Sequence, residues 1–384
     1  MILVSGICQS DQQSLLLQMK NSLSYDSTSS VRLVQWNQST DCCDMAGRVI
    51  GLDLSDESIY DGVDNSSCLF DLQHLRSLNL AFNSFNEAQI PSRLANLTNL
   101  TYLNLSNAGF EGQIPIEISS LTRLVTLDLS CYSWKAQLQL ENPDLKVLVQ
   151  NLSELRELYL DSVNISAHGN EWGQAFSSSL PNLQVLSLSY CYLSGPIHSS
   201  LADLQSLSVI RLDGNDLSSS VPEFLGYFPS LTILSLAHCG LFGKLSENIF
   251  KVSTLETLEL SSNDLHHDSF PDFPQNNSLR TLMLHNTNLS GTLPHSIGNL
   301  KSLSKLDLGS CNFTGPLPTS MANLTQLEYL DLSANNFSGS IPSFNMSKSL
   351  NSLDLSHNVL TGGISSTDWE QLQDLSWVDL SFNF

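Results

Sequence analysis

LTYLNLSNAGFEGQIP at residues 100–115, LTILSLAHCGLFGKL at 231–245, LSKLDLGSCNFTGPLP at 303–318 and LEYLDLSANNFSGSIP at 327–342 are variants of one phrase, L-x-x-L-x-L-x-x-N-x-L-x-G-x-I-P. From Leu75 to Phe384 the chain is almost nothing else. In L-x-L, successive side chains point to opposite faces of a strand, so the leucines go inside and the x residues line a parallel sheet. One such unit cannot bury its apolar face alone. Copies must stack, each touching its neighbours, and the result is a solenoid.

Leucines in this pattern with a period of roughly 20 to 29 residues mark a leucine-rich-repeat solenoid. The expected fold is an α/β horseshoe or superhelix with a concave parallel β-sheet and an N-terminal helical cap. The place of the Asn is taken by Glu57, Asn83, Ala108, Tyr132, Val163, Cys191, Asn215, Cys239, Asn263, Thr287, Cys311, Asn335, Asn358 and Asn383. That makes about fourteen repeats, of which the first and fourth are degenerate. From Cys191 to Asn335 the step is 24 residues, but it stretches to 31 before Val163 and 28 before Cys191. The insertions 133–147 and 166–180 are therefore expected as loops on the outside of the solenoid. Each inward Asn is expected to turn its amide onto backbone groups that burial would otherwise orphan. Cys191, Cys239 and Cys311 then read as buried ladder thiols, not ligands or nucleophiles. The Pro of G-x-I/L-P has no N–H for a central ladder and belongs at an edge or at the turn onto the convex side.

Sixteen Lys and Arg face 38 Asp and Glu, a formal charge of -22. That balance argues against nucleic acid, whose phosphates demand a basic footprint. A basic ligand remains compatible with it. Thirteen Asn-x-Ser/Thr sequons, at Asn37, Asn65, Asn96, Asn99, Asn104, Asn151, Asn164, Asn276, Asn288, Asn312, Asn323, Asn336 and Asn345, indicate a secreted glycoprotein. MILVSGICQS has the small residues of a cleavage site but no basic start, so residues 1–8 read as the remnant of a signal peptide. No apolar run approaches ~20 residues, so no membrane span is expected within 1–384. Residues 9–47 read as the cap: Asp11 capping an amphipathic helix with Leu15, Leu16, Met19 and Leu23 on one side, then Trp36 and the pair Cys42–Cys43. Repeats fill 48–384, the last of them unfinished at LSWVDLSFNF. An open last repeat is expected to fray or aggregate near Leu375–Phe384.

The cap DQQSLLLQMKNSL, W-x(5)-C-C at Trp36 and Cys42–Cys43, and GRVIGLDLS, followed by the L-x-G-x-I-P repeats, resemble the N-terminal part of plant receptor-like proteins and receptor kinases. LRSLNLAFNSFN, LVTLDLS and LRELYLDSVNIS are similar to the Verticillium-wilt-resistance type. The resemblance implies a cell-surface immune receptor with a repeat ectodomain, one transmembrane helix and a short tail without a kinase. It would sense a microbial or wall-derived protein or peptide and signal through receptor kinase co-receptors at the extracellular face of the plasma membrane. A chain that truly ended at Phe384 would instead be secreted into the apoplast. The family's closing Trp and Cys are missing, so Cys42 and Cys43 pair with Cys8 or Cys68, or stay free.

On the concave face the default filler is Asp then Ser, as at Asp331/Ser333, Asp354/Ser356 and Asp379/Ser381. Repeats five to ten abandon it with Tyr159 and Asp161, Ser187 and Tyr190, Arg211 and Asp213, Ser235 and His238, Glu259, then Met283 and His285. Tyr, Arg, Met and His are residues that recognition surfaces favour, and this run is the candidate ligand site. No catalytic motif, metal site or cofactor signature is present, so no enzyme is expected. His266–His267–Asp268 reads as an exposed polar loop. The alternatives are a secreted repeat protein that inhibits wall-degrading enzymes through the same face, or a non-functional truncated product.

Overall fold

The computed structural model describes residues 8–35, 43–85, 88–132, 138–141, 144–267, 269–362 and 372–384. Trp36, Asn37, Cys42, Asp268 and parts of the insertion 133–147 lie outside the described residues. The chain forms two compact units, Met1–Leu193 and Ser194–Phe384, and each is a stretch of leucine-rich-repeat solenoid.

The first unit opens with an α-helix, Ser10–Ser22, that buries Leu16 and Met19, with Leu23 buried just beyond its end. Asp11 is not its cap. Gln9 precedes the helix, its N–H donating to Gly47 O at 2.8 Å and its side chain to Ala46 O at 2.8 Å. That anchorage sets the entry of the chain and leaves Asp11 in the first turn, where its charge still favours the helix dipole. Cys8 and Cys43 form a disulfide. Cys68, the other partner left open by the sequence, keeps a buried thiol, its Sγ 3.7 Å from Leu15 O on the capping helix.

Six parallel strands follow in chain order: Gly51–Asp53, Ser77–Asn79, Tyr102–Asn104, Thr126–Asp128, Glu157–Tyr159 and Val185–Ser187. At the first rung Glu57 replaces the ladder Asn and is 1 % exposed. Its carboxylate accepts from Ser30 Oγ at 2.5 Å, Arg32 N at 3.0 Å and Leu33 N at 3.2 Å, which fastens the cap to the first repeat. The fourth rung departs from expectation: Tyr132 is 71 % exposed while Cys131 is buried. The Tyr132 N–H donates to Asn107 Oδ1 on the neighbouring rung at 2.8 Å, so the turn is held from outside and the ring stays in solvent. The second insertion is not a loop. It carries an α-helix, Gly169–Ser179, whose Trp172 and Phe176 are buried, because an apolar face at helical spacing covers the solenoid there.

In the second unit eight parallel strands run from Val209–Arg211 to Trp377–Asp379, one per repeat. Each strand pairs in register with the next, so that Leu234, Leu258, Leu282, Leu306, Leu330 and Leu353 stack in one column. A second, smaller parallel sheet, Ser290–Gly291, Asn312–Pro316, Asn336–Gly339 and Val359–Leu360, forms after the turn. Pro222, Pro294 and Pro318 each stand at the start of a 3-10 helix, where a missing N–H costs nothing. Gly315 precedes one of them at φ 79°, and a Cβ there would meet Thr292 Cγ2 at 2.8 Å. Under this side the rings of Phe270, Phe313 and Phe337 follow one another at 5.1 and 5.9 Å.

The ladder links the rungs. Asn263 Nδ2 donates to Leu236 O and Leu260 O at 2.8 Å, while its Oδ1 accepts from Cys239 N at 3.1 Å and Leu241 N at 2.9 Å. Asn335 and Asn358 do the same with Leu308 O and Leu332 O. Cys239 and Cys311 keep the donor half of this arrangement, Sγ lying 3.1 Å from Leu212 O and 3.2 Å from Leu284 O. At the final strand Asn383 makes the ladder bonds, and Val378 is 42 % exposed where the preceding rung's Leu353 is 0 %.

Candidate recognition face

Within the phrase, the fifth and seventh positions flank the inward leucine at position six, and the eighth begins the turn. The structure shows what the Asp–Ser default does. The fifth-position carboxylate accepts from the seventh-position N–H of its own strand: Asp331 from Ser333 at 2.8 Å, Asp354 from Ser356 at 2.9 Å, Asp379 from Ser381 at 2.8 Å. That N–H is the one the sheet ladder leaves without a backbone partner, so the Asp satisfies it. The default is therefore a structural device.

Two of the departures are the same device displaced. Asp161, at the seventh position, reaches forward to the next rung and accepts from Ser189 N at 2.7 Å and Ser187 Oγ at 2.8 Å. In the second unit Asp213 accepts from Ala237 N at 2.8 Å and Ser235 Oγ at 2.7 Å. Asp161, Ser187 and Ser235 are accordingly buried, at 8, 1 and 9 % exposure. They hold the face together and do not offer themselves to a ligand. Glu259 keeps the default role, accepting from Ser261 N at 2.9 Å.

Tyr190 and His238 belong to a different column. Both occupy the eighth position in left-handed backbone, φ 58° and 54°, exposed beside the face and not on it. What remains on the sheet is Tyr159 in the first unit, and Arg211, Met283 and His285 in the second, all half-buried. In the second unit Arg211, Ser235, Glu259, Met283, Asp307 and Asp331 stand in one in-register row. His285 Nδ1 lies 3.2 Å from Asp307 Oδ2. Burial pushes the Asp307 carboxyl up to about 6, and the neighbouring Asp331 and Glu259 charges add to this against the opposing pull of Gly309 N–H and His285. Burial raises Glu259 as well.

The sequence reading missed the third position of the phrase. Val209, Ile233, Thr257, Thr281, Lys305 and Tyr329 pair across successive strands and line the same face. Period-two alternation from the fifth position would have pointed to them. His267 was also misplaced. It is 5 % exposed, with its Nδ1 accepting from Ser269 N at 3.2 Å, because the chain folds back there onto the convex side.

Family models described as leucine rich repeat match residues 277–337, 99–121, 182–204 and 349–371, and a leucine rich repeat N-terminal domain matches 9–47. Receptor-like protein 6 of Arabidopsis thaliana is 33 % identical over 326 residues, covering 78 % of this chain and 27 % of its own length. The chain belongs to the plant leucine-rich-repeat receptor-like proteins. It spans about a quarter of that relative. Among solved structures it is similar to the ectodomain of the Arabidopsis receptor kinase HAESA in complex with an extended IDA peptide hormone, with 29 % identity, a TM-score of 0.81, and 97 % of this chain and 65 % of that one covered. HAESA with IDA and the co-receptor SERK1 gives 28 % identity and a TM-score of 0.77, covering 98 % and 70 %. No helix among the described residues is long and apolar enough to cross a membrane.

Proposed function

We propose that this chain is the extracellular recognition part of a plant cell-surface immune receptor-like protein, reading a peptide or protein ligand on the sheet face of its second unit. The observation that carries the reading is the in-register row from Arg211 to Asp331. There Arg211 and Met283 stand where the fifth-position carboxylate would be, with His285 beside them. An apolar anchor and a cation among carboxylates make a mixed surface of the kind that fixes ligand orientation. The carboxylates of Glu259, Asp307 and Asp331 favour a ligand that carries basic residues. HAESA supports the peptide class, and its complex with SERK1 supports a receptor kinase as the signalling partner. The sequons, on this reading, carry glycans in the apoplast.

The test is binding of a library of synthetic secreted peptides to the purified chain, repeated on Met283→Asp and His285→Ser, which restore the default residues. A peptide that loses at least about tenfold affinity on these changes, and none on Asn248→Ala away from the sheet, supports the reading. Binding that ignores both changes removes it.

A further inference from the structure

The eighth-position column of the first unit carries a second surface. Its N–H groups continue the rung-to-rung bonding, Phe82 N to Ser106 O, Asn107 N to Ser130 O and Ser162 N to Ser189 O, at 2.8 to 2.9 Å. These bonds hold the turn in left-handed backbone, with φ of 56° at Phe82, 52° at Asn107, 64° at Ser162 and 58° at Tyr190. Gly and Asn fill such a conformation without strain, whereas an aromatic residue there is an outlier. Phe82 and Tyr190 are nevertheless aromatic and are 57 and 51 % exposed, so no burial offsets the strain. On the fourth rung the eighth position is the buried Cys131; Tyr132, one residue later, is 71 % exposed, bonded through its N–H to Asn107 Oδ1, and stands beside this column. Tyr192, at φ 58° and 61 % exposed, doubles the ring at the last rung.

The rings follow a rule. They stand after the strands Ser77–Asn79, Thr126–Asp128 and Val185–Ser187, every second strand of the sheet. The rungs between present Asn107 and Ser162, both hydrogen-bonding side chains. Rungs lie ~4.8 Å apart, so the aromatic repeat is about 9.6 Å, close to the length of two pyranose rings in an extended β-linked chain. Strained aromatics in solvent are a reason to look for function, since the strain persists only against stability.

We propose that this edge of the first unit binds an extended, neutral β-linked glucan, with Phe82, Tyr132 and Tyr190 each stacking on alternate sugars and Asn107 and Ser162 bonding the hydroxyls between. Sugar rings present C–H faces to aromatic rings and hydroxyls to amides. An edge that alternates the two in step with a disaccharide fits that chemistry better than it fits a peptide strand, which repeats every two residues at a shorter distance. Charge selects among glycans. With a formal charge of -22 the chain repels a polyanion, which leaves the neutral class. This edge belongs to the first unit, and the proposal does not depend on the peptide-reading face of the second.

The experiment is calorimetric titration of the whole chain with cellohexaose and, in parallel, with a galacturonic acid hexamer. Cellohexaose is expected to bind and the acidic hexamer not to. Phe82→Ala, Tyr132→Ala and Tyr190→Ala should each weaken cellohexaose at least tenfold with the melting temperature unchanged or raised, and Tyr190→Trp should retain binding. No cellohexaose binding, equal binding of the acidic hexamer, or alanine variants that bind as the parent does would each overturn the proposal. So would a basic peptide displaced by these same alanine changes, because the edge would then belong to protein recognition.

Discussion

His285 Nδ1 and Asp307 Oδ2 face each other across adjacent strands at 3.2 Å, with Asp307 only 6 % exposed. The pair is set among Glu259 and Asp331, and Lys305 stands on the same strand as Asp307.

The raised Asp307 carboxyl makes stability depend on pH with a defined sign. Its folded value of about 6 exceeds the ordinary 3.8, so between these the native state holds a proton that the unfolded chain has lost. Stability from this group is present below pH ~4 and lost as pH rises through about 6, up to about 3 kcal/mol in all. Glu259 acts in the same direction. Asp307→Asn should flatten the melting temperature between pH 4 and 7, and a variant profile parallel to the parent's would refute the assignment.

Asn263 holds four backbone groups from two rungs, its own and the preceding one. Asn263→Ala leaves them buried and unpaired, at about 1–3 kcal/mol each for those that water cannot reach. A loss of at least about 3 kcal/mol in urea unfolding is expected. Asn263→Cys should recover part of it, since the Cys239 thiol already serves as a donor to the preceding rung.

The ladder thiols should be inert. Burial drives Cys239 up to about 12 and raises Cys191 and Cys311 as well. The thiolate is the reactive form, so at pH 8 Cys191, Cys239 and Cys311 should resist iodoacetamide in the native chain and react fully in denaturant. Native labelling within minutes, read by peptide mass spectrometry, would contradict their place in the ladder.

Tyr190 is strained where Asn or Gly would not be. Tyr190→Asn should stabilise the chain by about 1 kcal/mol, since left-handed backbone costs a bulky residue roughly that much. A melting temperature lower than the parent's would show that the exposed ring contributes packing the structure does not reveal.

The leucine column, the Asn ladder and the thiols at Cys191, Cys239 and Cys311 were legible because they repeat. Each falls at a fixed place in the phrase, and one rung's geometry serves for the others. The candidate face was legible only as a row of departures. Asp161 and Asp213 looked like surface acids, yet each satisfies an N–H on the following rung, at Ser189 and Ala237.

The periodic part of this protein was thus determined by the sequence alone: strand, turn, inward leucine, and the ladder that ties rung to rung. The tertiary structure decided the aperiodic part. It put Glu57 under the cap, coiled 169–179 into a helix that buries its own Trp172, buried His267, left Tyr132 largely exposed and separated structural carboxylates from exposed ones. The physical reason is the same in each case. A buried N–H or carboxylate must find a partner, and where the phrase breaks, that partner comes from another rung or from the cap, at a distance in sequence that no local pattern encodes.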